Sequence, residues 1–504
     1  MPGFFIPVMI KLYIIHVLYI WGNEKIIPFF VLTNPEDGMS KMGNENYNFT
    51  IVRGFAFSAL FWLVIGLIVG LWIAFEMFNP ALNLTPWLSF GRLRVVHTNG
   101  LGLGFGLAAI FATSYYILQR LTRIPILFPR LAKAHLYLFN TVISLGALSL
   151  FAGMNTTKEY AELEWPLDIG VVVLWVMFAI NVFGTLIKRQ EKQMYISLWY
   201  IISMTVAIAI LYIVNNLEIP VTLFKSYSVY AGANDANVEW WYGHNVVGFI
   251  FTVPILAMFY YFLPKSTGLP LFSHRLSIVS FWALNFAYLW TGAHHLMLTP
   301  LPEWIQTVAI AFSIFLIAPS WGSVLNGYYT LQGNWDQIRS NYLVKFFIAG
   351  ITFYGLQTLQ GPLQGLRTLN AFFHYTDWVV GHVHMGTMGW VTMVISASFY
   401  YMIPRITNTD LYSIKLANTH FWLILVGQFT WTITMWIAGI QQGAMWKATN
   451  PDGSLMYNFL ETVTSLYPYY KLRFAAGLIY FIGILVFTWN LMMTVKQQPQ
   501  QAEA

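Results

Sequence analysis

Apolar runs of roughly 20 residues or more, enough to span the hydrocarbon core of a bilayer as helices, recur along the chain. They lie near 54–79, 95–118, 132–154, 167–188, 195–216, 239–263, 275–298, 304–331, 345–366, 378–404, 417–443 and 472–495. Composition agrees with this pattern. Of 504 residues, 57% are hydrophobic and only 9% charged, too little charge to cover a soluble protein of this size. The spacing predicts an all-α polytopic membrane protein, a bundle of about twelve transmembrane helices. A single integral domain over 46–496 is the simplest organisation, since no linker, low-complexity tract or obvious internal repeat is apparent.

Residues 1–45 fit this scheme poorly. Their apolar stretch at 4–32 is interrupted by Lys11 and by NEK at 23–25. It reads as an N-terminal extension, either an upstream start with Met39 or Met42 as the true one, or an extra helix; a signal peptide is the weaker reading. GLGLGFG at 100–106 sits inside a span with no strand before it, so Gly102 and Gly106 read as close helix packing, not a nucleotide loop.

The net charge of +6 is explained by topology and does not call for nucleic acid. One set of connections holds Arg120, Arg123, Arg130, Lys133, Lys188, Arg189, Lys192, Lys265, Arg275, Arg339, Lys345, Arg405, Lys415 and Lys496. The alternate set carries most of the acid, including Glu159, Glu162, Glu164, Glu218, Asp235, Glu303, Asp377, Asp452 and Glu461. The positive-inside rule places the first set in the cytoplasm, with a polar cytoplasmic tail at 497–504. The chain has no cysteine. That excludes iron–sulfur clusters, disulfides, thioether-bound haem and thiolate-bound copper, and leaves histidine, carboxylate, tyrosine or methionine for any metal.

The topology sorts the histidines by depth. His97, His244, His294, His295, His382 and His384 come from four spans and fall in one layer near the outer side. Any one could be a hydrogen-bonded core histidine. Six ionisable groups at one depth inside a membrane point instead to function, and neutral imidazole suits iron and copper. The pair in GHVHMG, His382 and His384, is separated by one residue, so the two rings leave opposite faces of a helix. His384 and His97 can clamp a haem from both axial sides. His382 can hold a second haem from one side only, and His244, His294 and His295 offer three nitrogens to a copper facing its open position. Tyr288 precedes His295 by two helical turns, which places both on nearly the same face.

GRLRVVHTN, TTKEYAELEWP, WWYGHN, RLSIVSFWAL, YLWTGAHH, PSWG and HYTDWVVGHVHMG together resemble the catalytic subunit of the haem-copper oxidases, in particular subunit I of cbb3-type cytochrome c oxidase. The resemblance runs from about Tyr47 to about residue 495. It implies His97 and His384 on low-spin haem b, His382 on high-spin haem b3, and CuB on His244, His294 and His295. It implies a terminal oxidase that reduces O2 to water, takes up and translocates protons, and has Tyr288 joined covalently to His244 as a redox-active phenol. Glu159 is implicated in a calcium site between haem propionates, with Glu162 a local hydrogen-bond partner. By the same resemblance, membrane-anchored mono-haem and di-haem c-type cytochrome subunits dock outside and deliver electrons. The setting implied is the bacterial inner membrane, with the metal centres toward the periplasm.

Arg92, Arg94, Arg473, His374 and Asp377 are candidates to face the propionates, with interface anchoring as the competing role. Ser277, Tyr260 and Tyr354 suggest a hydroxyl ladder for protons from the cytoplasm, resembling the family's single proton path; bonding to nearby backbone is the alternative. LQTLQGP departs from the family by placing Gln360 where glutamate is usual. Glutamine still accepts a hydrogen bond but cannot ionise, so the haem's potential and its proton coupling are in doubt, though metal binding is not. Two rival readings stand: a nitric oxide reductase-like subunit, and a polytopic transporter or proton channel. Nitric oxide reductases lack the tyrosine and carry glutamates around the non-haem metal. A transporter leaves the histidine count unexplained.

Overall fold

The computed structural model describes residues 47–498. The expectations for 1–45 and for most of the tail at 497–504 lie outside the described residues.

Each apolar run becomes a helix. In chain order these are α1 (Phe49–Glu76), α2 (Phe90–Thr122), α3 (Pro129–Ala152), α4 (Trp165–Ile187), α5 (Ile196–Asn215), α6 (Gly232–Thr267) and α7 (His274–Tyr288). There follow α8 (Glu303–Thr330), α9 (Tyr342–Gly365), α10 (377–407), α11 (Ile414–Lys447) and α12 (Tyr467–Lys496). Ten of these are long and apolar enough to cross a membrane on length and composition alone. The other two are α7, with 15 residues, and α10. Among the described residues the only strands are a short antiparallel hairpin between α5 and α6, β1 (Glu218–Thr222) with β2 (Lys225–Ser228), and an isolated bridge joins Thr449 to Leu455.

An internal repeat, not apparent in the sequence, becomes clear from the hydrogen bonds at one end of the bundle. The Asn-x-x-x-Thr stretches Asn181–Thr185, Asn326–Thr330 and Asn490–Thr494 each accept two consecutive backbone N–H groups from the turn that opens another helix. Asn181 and Thr185 take Phe128 and Leu127 before α3, at 3.2 Å each. Asn326 and Thr330 take Ser273 (2.9 Å) and Phe272 (3.1 Å) before α7. Asn490 and Thr494 take Ser413 and Tyr412, both at 3.1 Å, before α11. The helix entering each turn carries a Tyr-Tyr pair, at 115–116, 260–261 and 400–401. The described residues thus form three four-helix units, α1–α4, α5–α8 and α9–α12. Helix-opening N–H groups have no intrahelical acceptor, so each clasp satisfies donors that would otherwise be lost while tying a unit's second connection to its last helix.

Candidate metal centres

All six singled-out histidines lie at the other end of the bundle from the clasps. The two in GHVHMG separate as their spacing requires. On α10, His384 turns toward α2 and α11: its ring lies 11° from parallel to that of His97, with centroids 6.4 Å apart, and Trp431 stacks on it at 4.2 Å. His382 turns toward α9, where its Nδ1 is 3.2 Å from Gln360 Oε1.

Second partners fix which nitrogen each ring leaves free. His97 Nδ1 donates to the Gly66 carbonyl (2.8 Å) and His384 Nδ1 to the Val380 carbonyl (2.9 Å). Each therefore keeps a bare Nε2 as a ligand. Gly70 makes the seat, since a Cβ there would stand 2.5 Å from His97 Cε1. The donor set fits an iron, which His97 and His384 would hold through their free Nε2 atoms.

His244, His294 and His295 each bring a ring nitrogen within 4.8 Å of the others, the one group of three metal-ligating residues among the described residues. His294 Nδ1 donates to Ser313 Oγ (2.7 Å), which itself donates to the Ala309 carbonyl (2.6 Å). His295 lies on the Trp240 ring at 4.2 Å, and its Nε2 is 3.3 Å from His244 Nδ1. His244 Nε2 is buried with no hydrogen-bond partner among the described residues. Buried, neutral, carboxylate-free nitrogen ligation suits copper. An unpaired buried nitrogen beside it is costly unless something binds.

Tyr288 lies by this group, though not by the route its spacing suggested. α7 ends at Tyr288, and His294 and His295 sit in a separate 3₁₀ turn, Gly292–Leu296. The two-turn arithmetic therefore does not apply. Tyr288 instead packs on α6, with its ring 5.5 Å from His244 and its hydroxyl 3.2 Å from Thr252 Oγ1. Gly248 permits this approach, because a Cβ there would come 2.6 Å from the Tyr288 ring.

Sequence reasoning missed one device entirely. The three long helices that carry His97, His244 and His384 each widen into a π-helical stretch that begins one to three residues after that histidine. These are Gly100–Gly106 after His97, Val247–Thr252 after His244, and Met385–Val391 after His384. π segments re-aim side chains and occur often at functional sites. The glycines of GLGLGFG were a signal. They do pack closely, Gly102 and Gly106 both lying against Phe251, but they also mark where the backbone widens.

The peripheral candidates divide. Asp377 and Arg473 pair at 3.7 Å, both buried, and the guanidinium lies 5.0 Å from the centre of the Trp431 ring, on which His384 also stacks. Tyr470 donates to Asp377 (3.0 Å). Arg92 is occupied by the Phe151 carbonyl (3.0 Å). Arg94 pairs with Glu159 at 2.9 Å. Glu162 accepts from Asn99 (2.9 Å), and burial pushes its carboxyl up to about 7. His374, stacked on Tyr375 at 3.9 Å, is lowered by partial burial.

Ser277 donates to the His274 carbonyl (2.7 Å), the backbone bond expected as the alternative. Tyr260 and Tyr354 are different: both hydroxyls are buried without a hydrogen-bond partner among the described residues. Tyr200, which the sequence did not single out, shares that condition and stacks on Tyr260 at 6.0 Å.

The chain matches the family model "Cytochrome C and Quinol oxidase polypeptide I" over residues 50–479. It is 46% identical over 460 residues to a cbb3-type cytochrome c oxidase subunit of Stutzerimonas stutzeri, covering 91% of this chain and 97% of that one. To cytochrome c oxidase subunit 1 of Rhodobacter capsulatus it is 41% identical over 473 residues, covering 92% and 89%. A solved heme-copper terminal oxidase superposes with a TM-score of 0.75 at 18% identity, covering 90% of this chain and 85% of that one.

Proposed function

The chain belongs to the cytochrome c and quinol oxidase polypeptide I family, and on that premise we propose that α10 is a partition with a different haem iron on each face. It is the catalytic subunit of a cytochrome c oxidase of the cbb3 type, a multi-span protein of a bacterial membrane. His97 and His384 would hold the low-spin haem b, His382 the high-spin haem b3, and His244, His294 and His295 CuB. The bound haems and copper supply electron storage and the site at which O2 is reduced to water.

The chain's own residues do the rest. Hydrogen bonds to Gly66, Val380, Gln360 and Ser313 orient the ligand rings. Tyr288, beside His244, offers a phenolic proton and an electron where an O–O bond must break, and a covalent link between the two rings belongs to this reading. Tyr260, Tyr354 and Ser277 carry protons from the clasp end, which is cytoplasmic in this reading, as is the C-terminus. Arg473, with Asp377, Arg92, Arg94 and His374, faces the propionates. A calcium ion at Glu159 would have to share or displace Arg94. Electrons enter from membrane-anchored mono-haem and di-haem c-type cytochromes on the periplasmic side, since a chain without cysteine carries no thiolate or thioether centre of its own.

The divergence of His382 and His384 from one helix toward partners on different helices carries this reading. Metal counting on the purified complex tests it. The expected result is about one copper per two b-type haems, and an extra iron with no copper would support the nitric oxide reductase alternative.

A further inference from the structure

The three units are built alike, so equivalent positions can be compared. His135, Ser280 and His420 are each the seventh residue of the helix that a clasp opens. Phe178, Ser323 and Phe487 each precede a clasp asparagine by three. Tyr115, Tyr260 and Tyr400 hold the same place on the helix before.

In the first unit, Tyr115 bonds His135 Nδ1 at 3.0 Å. The imidazole is fully buried and lies against Phe111 (4.6 Å), Phe55 (4.9 Å) and Phe178 (5.9 Å). The third unit repeats the arrangement. Tyr400 bonds His420 Nδ1 at 3.2 Å, with the ring on Phe487 (4.8 Å) and Phe346 (5.1 Å). In both, the far nitrogen Nε2 is buried and has no hydrogen-bond partner among the described residues. A proton reaching either phenol can pass to the imidazole and no further, because the next atoms are aromatic carbon. The second unit has neither histidine nor phenylalanine at these positions. Ser277, Ser280, Ser320 and Ser323 are all buried there, and Ser323 lies among the phenols of Tyr200 and Tyr260.

We infer that His135 with Phe178, and His420 with Phe487, are proton seals that close the first and third units, confining proton entry to the hydroxyl-lined second unit. The inference rests on the reading of Tyr260 and Ser277 of the second unit, with Tyr354 from the adjoining α9, as the proton route. Hydrogen-bonded transfer needs an unbroken series of donors and acceptors, and an imidazole caged in aromatic rings ends the series.

The test uses the complete complex in phospholipid vesicles. Changing His420→Ser with Phe487→Ser, or His135→Ser with Phe178→Ser, should raise the proton leak under an imposed membrane potential at least severalfold while haem spectra stay unchanged. The milder single change His420→Asn should leak in the same sense if a serine pair fails to assemble. Ser323→Phe, which copies the sealed units, should leave the leak unaltered and slow oxygen turnover at least tenfold. An unchanged leak in assembled seal variants would overturn the inference. Normal turnover in Ser323→Phe, with leaky seal variants, would instead count against the second unit as the route.

Discussion

At the scale of single residues, Gln360 shows how a neutral side chain can keep geometry while changing chemistry. Its amide oxygen holds His382 Nδ1 at 3.2 Å, but without charge it pulls less on the N–H than a carboxylate does. Gln360→Glu should give the imidazole more anionic character and favour ferric iron. A difference of ~1 kcal/mol between charged and neutral acceptors lowers the high-spin midpoint potential by tens of millivolts. A redox titration that finds it unchanged or raised contradicts this. Tyr288→Phe should cut oxygen turnover by about a hundredfold or more, the range for losing a positioned proton donor, with haem and copper content intact. Part of the arrangement was legible at this scale: the structure brings His244, His294 and His295 together, sets His384 opposite His97 and puts Gln360 beside His382. Tyr200 was not, because one buried tyrosine among 29 carries no signal until its neighbours are known.

At the scale of elements, sequence arithmetic worked for spans and failed at breaks. Apolar length marks a helix well, so twelve runs became twelve helices. The end of α7 at Tyr288 and the three π stretches have no such mark, since each is a local backbone change. Gly248→Ala tests the contact that replaced the two-turn argument. Its methyl would force the Tyr288 ring off α6, so turnover should fall with the low-spin haem spectrum unaltered; full activity would show that the phenol's place does not matter. The connection before α4 offers a pH test. Glu162, pushed from 4.5 to about 7, costs nothing extra below pH 4.5, where it is protonated folded or unfolded. Its contribution to stability is lost as pH rises from 4.5 to 7, because over that range the folded form keeps a proton that the unfolded chain has released. The loss is on the order of 3 kcal/mol. Glu162→Gln should therefore flatten the fall in thermal stability between pH 4.5 and 7, and a parallel curve for the variant would contradict this.

At the scale of the whole molecule, the three similar four-helix units of the described residues enclose one asymmetric set of histidines. The repeat escaped sequence reading because only a few side chains per unit keep it, at unequal spacing, while the lipid-facing residues between them vary freely. Symmetry supplies the frame, and the differences supply the function. Among the described residues only α10 offers imidazoles on two faces, and only the second unit is lined by serine where its counterparts hold histidine and phenylalanine. The account depends most on α10. Reduced-minus-oxidised and carbon monoxide difference spectra of His384→Ala and His382→Ala complexes examine it most directly. His384→Ala should lose the six-coordinate haem signal and keep a carbon monoxide-reactive haem, and His382→Ala should do the reverse. Loss of one and the same chromophore in both variants would contradict the partition.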